Sequence, residues 1–192
     1  MIDKKRLLND GEIYTADPFD MLVVSEGKNQ KIIISEETVS VHVILAGESC
    51  EVVCHGENCC ITTLTDPDEK HKVEITGRFN TVICSGRCLV NVTGNANDVI
   101  AVGPYPSIRC SGIGCTVSGA LDAAEVIFTD SVNCTAESND SIAYLAPGEG
   151  TKVIVNQVAY TEGDDLAKGK FYEIIDGNLT EVREDGMSLD DE

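Results

Sequence analysis

Short alternations of apolar and polar residues recur along the chain. They read "MLVVS", "KIIIS", "VHVIL", "EVVCHG", "HKVEITG", "TVICSG", "LVNVTG", "DVIAVG", "SIRCSG", "CTVSG", "EVIFTD" and "TKVIV". Gly, Asn, Asp and Ser stand between them. A period of two over four to eight residues marks a half-buried strand, and these small polar residues mark tight corners. Helical periodicity is almost absent.

The alternations fall into longer columns. Val73, Val99, Val126 and Val153 are separated by 26, 27 and 27 residues, with Ile75, Ala101, Phe128 and Val155 two places on. Cys60, Cys88, Cys115 and Ile142 form a second column. Cys54, Cys84, Cys110 and Cys134 form a third, preceded two places back by Val52, Val82, Ile108 and Val132. Three strands in about 27 residues predict an all-β fold: a single right-handed parallel β-helix, a three-sided β-solenoid of about five turns. Parallel connections favour the right hand. One turn cannot close a core alone, so stacking makes the fold.

This reading divides the chain into an N-terminal cap over 1–20, a β-helix over 21–158, a linker with a C-terminal β-hairpin over 159–183, and an acidic tail over 184–192 expected to be disordered. Within the cap, "DKKRLLN" is a candidate short helix. In "KFYEIIDGNLTEV", Asp176-Gly177 is a hairpin turn signal between alternating runs.

Composition narrows the partners. The 192-residue chain is 42% hydrophobic but 5% aromatic, so its core is built from Val, Ile, Ala, Cys and Leu. A net charge of −19 repels phosphate backbones and anionic lipid, which argues against nucleic-acid and membrane partners. The N-terminal stretch lacks the apolar run of a signal peptide, and no run is long enough for a membrane helix. A cytoplasmic location is expected, or a virion-associated one for a phage-derived chain.

Nine cysteines invite a metal reading. "CHGENCC", "CSGRC" and "CSGIGC" resemble zinc half-sites. Yet these thiols alternate with Val and Ile, and Ile142 fills the same slot, which a ligand position would not allow. Core thiol ladders are therefore expected, with no metal and no cofactor. Cys59 falls beside Cys60 and out of phase, so it is the candidate exposed or reactive thiol. Cys54 and His55 are strand neighbours and should point to opposite faces. His42 and His71 have no evident partner in the sequence. Asp66, Asp68 and Glu69 in "TDPDEKH" could take Ca²⁺, but a solvated corner loop is the simpler reading. No catalytic residues are assigned.

The segments "NTVICSGRCLVNVTGNANDVIAVG", "IRCSGIGCTVSG" and "NCTAESNDSIAYLA", followed by "GKFYEIIDGNLTEV", resemble uncharacterised Cys/Gly/Ser-rich β-solenoid repeat proteins of gut Bacteroidota and their phages. The resemblance covers roughly residues 80–183. A looser likeness is to the bactofilins, short β-helices that polymerise end to end. Neither supplies site residues. The expected function is a non-catalytic structural or assembly module, a homo-oligomer acting through its faces or ends. A phage- or surface-related glycan-binding β-helix is the alternative. Against it, Tyr14, Tyr105, Tyr144, Tyr160 and Tyr172 share no column. A carbohydrate-active enzyme is a weaker one.

Overall fold

Val52, Val73, Val90, Ile108 and Val126 sit one above the next on successive rungs of one sheet, all fully buried. The computed structural model describes residues 5–64, 70–103, 105–121, 123–139, 141–175 and 178–184. Its twenty strands alternate between two sheets as far as the seventeenth, after which the eighteenth returns to the first and the nineteenth and twentieth to the second. The first sheet holds β1 (Lys5–Leu7), β3 (Leu22–Ser25), β5 (His42–Leu45), β7 (Cys60–Thr63), β9 (Thr81–Cys84), β11 (Asp98–Ala101), β13 (Thr116–Gly119), β15 (Thr135–Ser138), β17 (Lys152–Val155) and β18 (Val158–Thr161). The second holds β2 (Ile13–Ala16), β4 (Lys31–Ile34), β6 (Glu51–Cys54), β8 (His71–Ile75), β10 (Cys88–Val92), β12 (Ser107–Cys110), β14 (Ala124–Ile127), β16 (Ile142–Ala146), β19 (Phe171–Ile175) and β20 (Asn178–Val182).

The protein is thus an all-β parallel solenoid, as the alternation predicts. Its turn differs from the expected one. Each turn has two strands, and about eight turns stack instead of five. Val52 pairs with Val73, Val73 with Val90 and Val90 with Ile108, steps of 21, 17 and 18 residues. The 27-residue column is one and a half turns. Val73 and Val126 lie in the second sheet, Val99 and Val153 in the first, and all four point inward and are buried. The inward phase was therefore legible, but the face assigned to each strand was not.

The corner that leads from the second sheet to the first follows one chemical rule. Gly56-Glu57-Asn58-Cys59, Gly77-Arg78-Phe79-Asn80, Gly94-Asn95-Ala96-Asn97 and Gly112-Ile113-Gly114-Cys115 occupy successive turns. The first position needs glycine for close approach. A Cβ on Gly77 would lie 1.9 Å from the Gly56 carbonyl oxygen, and one on Gly94 would lie 1.7 Å from that of Gly77. The third position is left-handed, with φ of 53° at Asn58, 58° at Phe79, 51° at Ala96 and 64° at Gly114. The fourth side chain turns inward and is buried, and in the last three of these turns it donates to the glycine carbonyl of the turn below. Asn80 Nδ2 reaches Gly56 O at 3.0 Å, Asn97 Nδ2 reaches Gly77 O at 3.0 Å, and Cys115 Sγ reaches Gly94 O at 3.3 Å. These bonds satisfy carbonyls that no strand partner covers.

The two ends are closed differently. Residues 5–7 form an edge strand, where a short helix was expected over "DKKRLLN". Pairing Lys5–Leu7 with Leu22–Val24 supplies ladder bonds, whereas an isolated helix of this length lacks stability in water. Above the core, the Arg6 guanidinium lies over the Tyr14 ring at 5.2 Å and pairs with Glu12 at 2.8 Å. Tyr14 donates to Asp20, and burial together with that bond pushes its hydroxyl up to about 12. At the other end two antiparallel hairpins seal the stack. β17 and β18 are joined by Asn156 and Gln157, both at positive φ, the geometry of a type I′ turn. β19 and β20 form the hairpin that the "DG" signal predicts. The acidic stretch 185–192 lies outside the described residues.

Candidate functional site

The thiols are the first candidates, and the fold places them inside. All nine are free, and eight are buried. Cys84 ends β9 in the first sheet and Cys88 opens β10 in the second, with Gly86 at φ 70° between them. Their spacing is the length of a corner. Among the described residues, no group of three or more His, Cys, Asp or Glu side chains is arranged to hold a metal ion. Asp66, Asp68 and Glu69 fall outside the described residues.

The expectation for Cys59 is overturned. Cys59 is buried at 2% exposure, and the half-buried outward thiol is Cys60. Cys59 is the fourth residue of a corner tetrad, so it points inward. Its amide donates to Asn80 Oδ1 at 2.8 Å. Cys60 opens β7 in the opposite phase. The Cys54 thiol donates to Cys59, which raises Cys54 and lowers Cys59 to about 7. Within the next pair, the same relation raises Cys88 and lowers Cys84.

Each histidine hydrogen-bonds a neighbouring turn. Cys54 is buried while the His55 ring bonds Thr76 at 2.6 Å on the outside, so the two side chains diverge as expected. His42 bonds Thr62 at 3.1 Å. His71 is fully buried. Its Nδ1 accepts from the Cys50 amide at 3.1 Å, the same service that Asn80 renders Cys59. Burial lowers its pKa, opposed by the backbone of Cys50 and Leu64.

The outer face of the second sheet carries the feature that the sequence did not reveal. Glu74, Asn91, Arg109 and Ile127 stand on successive rungs of β8, β10, β12 and β14. A neighbouring outward column runs Lys72, Leu89, Ser107, Glu125 and Tyr144. Along these columns lie two adjoining open cavities of about 560 and 590 Å³, which share Arg109, Ile127 and Thr129 and so form one trough. The corner after β14 spans residues 128–134, longer than the five-residue corners 93–97 and 111–115, and its Thr129 and Asp130 line one side. At the far end, a register shift at Ala124/Glu125 accompanies Tyr144, whose ring stacks on Phe171 with centroids 5.5 Å apart. Antiparallel pairing of β16 with β19 brings these two aromatics together.

The charges in the trough are largely compensated. Glu74 is 2.6 Å from Lys72. Glu125 accepts from the Ser107 hydroxyl and lies 3.5 Å from Arg109. Tyr144 donates to the Glu184 carbonyl at 3.2 Å.

The fold and this face define a class, the two-sheet parallel β-solenoids. The chain matches no protein family, no curated protein and no solved structure in the three comparisons. No helix in the described residues is long and apolar enough to cross a membrane.

Proposed function

We propose that the protein is a non-catalytic structural or assembly module that associates with copies of itself through its N-terminal end. One observation carries the reading. The first turn exposes Leu7 at 52%, Ile13 at 68%, Phe19 at 80% and Met21 at 67%. These are four of the twelve exposed large hydrophobics in the described residues, all in the first turn, where β1 and β2 are the edge strands of their sheets. Apolar side chains beside unpaired strand edges favour association. The opposite end is sealed by hairpins, so growth from that end would have to displace packed strands.

The placement of His71 and eight thiols in the core supports a structural role for these otherwise reactive groups.

Light scattering behind size-exclusion chromatography tests the reading. The wild-type chain is expected to run as dimers or larger species that grow with concentration, and the double variant Phe19→Ser, Met21→Ser as a monomer. A wild-type chain that stays monomeric across the whole concentration series would overturn it.

A further inference from the structure

The trough on the second sheet asks for a ligand of particular chemistry. Its floor is the flush outer face of a β-sheet, without a deep hole for an anchoring side chain. Its polar groups are amide, hydroxyl and ion-paired charge: Asn91, Thr93, Thr129, and the Arg109–Glu125 pair at 3.5 Å. Rungs lie about 4.8 Å apart, so an extended ligand would meet Asn91, Arg109 and Glu125 on three successive strands. One end offers a flat apolar plate, the Tyr144–Phe171 stack with planes 23° apart.

We propose that this trough binds a neutral, extended oligosaccharide, stacked on the Tyr144–Phe171 plate and hydrogen-bonded along the floor by Asn91, Arg109 and Glu125. A sugar ring presents exactly two kinds of surface: a flat C–H face that suits an aromatic ring, and an equator of hydroxyls that both donate and accept. Asn91 can do both at once, Arg109 donates, and Glu125 accepts. The ring face and the tethered hydroxyl of Tyr144 suit an amphipathic ligand.

Competing occupants fit less well. An anionic polymer meets Glu74, Glu125, Asp130 and Glu184 in the lining, against Arg109 alone among the lining cations. The C-terminal segment after Glu184 has the same sign of charge as this lining, with Asp185, Asp190, Asp191 and Glu192. A basic peptide would gain from charge, but Glu74 and Glu125 already have cationic partners within 2.6 and 3.5 Å. The inference is independent of self-association, because the trough lies within one chain.

The experiment uses the full chain, ¹⁵N-labelled, titrated with the neutral hexasaccharides of β-1,4-glucose, α-1,4-glucose, β-1,4-mannose and β-1,4-N-acetylglucosamine, and with hexalysine. At least one hexasaccharide is expected to shift amides confined to β8, β10, β12, β14, β16 and β19. Tyr144→Phe should keep that binding, and Asn91→Ala should weaken it about tenfold, equivalent to about 1.4 kcal/mol. Both variants preserve the stacked core, and their melting curves check this. Failure of all four sugars at millimolar concentration, shifts on another face, an Asn91→Ala variant that binds as wild type, or tighter binding of hexalysine each overturns the proposal.

Discussion

The Asn97 side chain holds two turns at once: its Oδ1 accepts the Asn80 amide at 2.8 Å, and its Nδ2 donates to the Gly77 carbonyl at 3.0 Å. Asn80 repeats the arrangement one turn down, on the Cys59 amide and the Gly56 carbonyl. Both residues are buried, so each amide replaces water for two backbone groups that the strands leave over.

Asn97→Ala should therefore cost about 2 kcal/mol or more, because it leaves the Asn80 amide and the Gly77 carbonyl buried and unpaired. Asn97→Cys should cost less. Cys115 and Cys134 fill the equivalent position in the next two turns and donate to Gly94 and Gly112 carbonyls. Urea denaturation of the two variants checks the order. Equal losses would show that the hydrogen bond to the carbonyl is not what the position requires.

The glycine column gives a sharper contrast. Gly94→Ala places a methyl 1.7 Å from the Gly77 carbonyl oxygen, which the buried Asn97 amide holds in place. Overpacking that no side chain can relieve should cost about 3 kcal/mol or more. Gly114 is different. It has φ 64° and nothing within 4 Å of a Cβ, and Asn occupies the same corner position at 58 and 133. Gly114→Asn should stay within about 1 kcal/mol of wild type. Melting temperatures of the two variants decide it.

Much of the architecture was legible in the sequence, and the exceptions share a physical origin. Strand plus corner averages about nine residues here, so any multiple of that spacing keeps the inward phase. Both sheets present Val and Ile inward, and nothing in Val73, Val99 and Val126 separates one face from the other. Gly56, Gly77, Gly94 and Gly112 step by 21, 17 and 18 residues, the length of the true turn, but Gly27 and Gly47 stack in the same way at the other corner, so glycine alone does not tell the faces apart. The same grammar places Cys59 inward as a fourth residue, and Cys60 outward. The trough was hidden for another reason. Tyr144 and Phe171 meet through an antiparallel strand that returns to the stack, a tertiary event with no periodic trace.

Thiol labelling follows from the corrected phase. With a thiol reagent under native conditions, Cys60 should react first, because it is the one cysteine on an outer face. The lowered pKa of Cys59 does not help it while the reagent cannot reach a side chain only 2% exposed. Mass spectrometry of the first labelled peptide separates the neighbours by the variant Cys60→Ser. Rapid single labelling that persists in that variant would contradict the inward placement of the other eight.

His71 should make the stability of the stack depend on pH. It occupies, at the other corner, the role that Asn80 plays at the first: a buried ring nitrogen accepting a backbone amide of the turn below. Its folded pKa lies below the ordinary 6.5, chiefly because burial disfavours the cation. As pH falls through 6.5 the unfolded chain binds the proton first, so unfolding takes up a proton and stability declines. The contribution is intact above about pH 6.5 and is lost progressively below it. Protonation at Nδ1 would also remove the acceptor for the Cys50 amide. His71→Asn keeps a short acceptor at the position but does not titrate. Its stability should therefore be flatter than wild type between pH 7 and 5, the range before most carboxylates protonate. Urea midpoints measured across that range test it, and parallel profiles for the two proteins would remove His71 from the account.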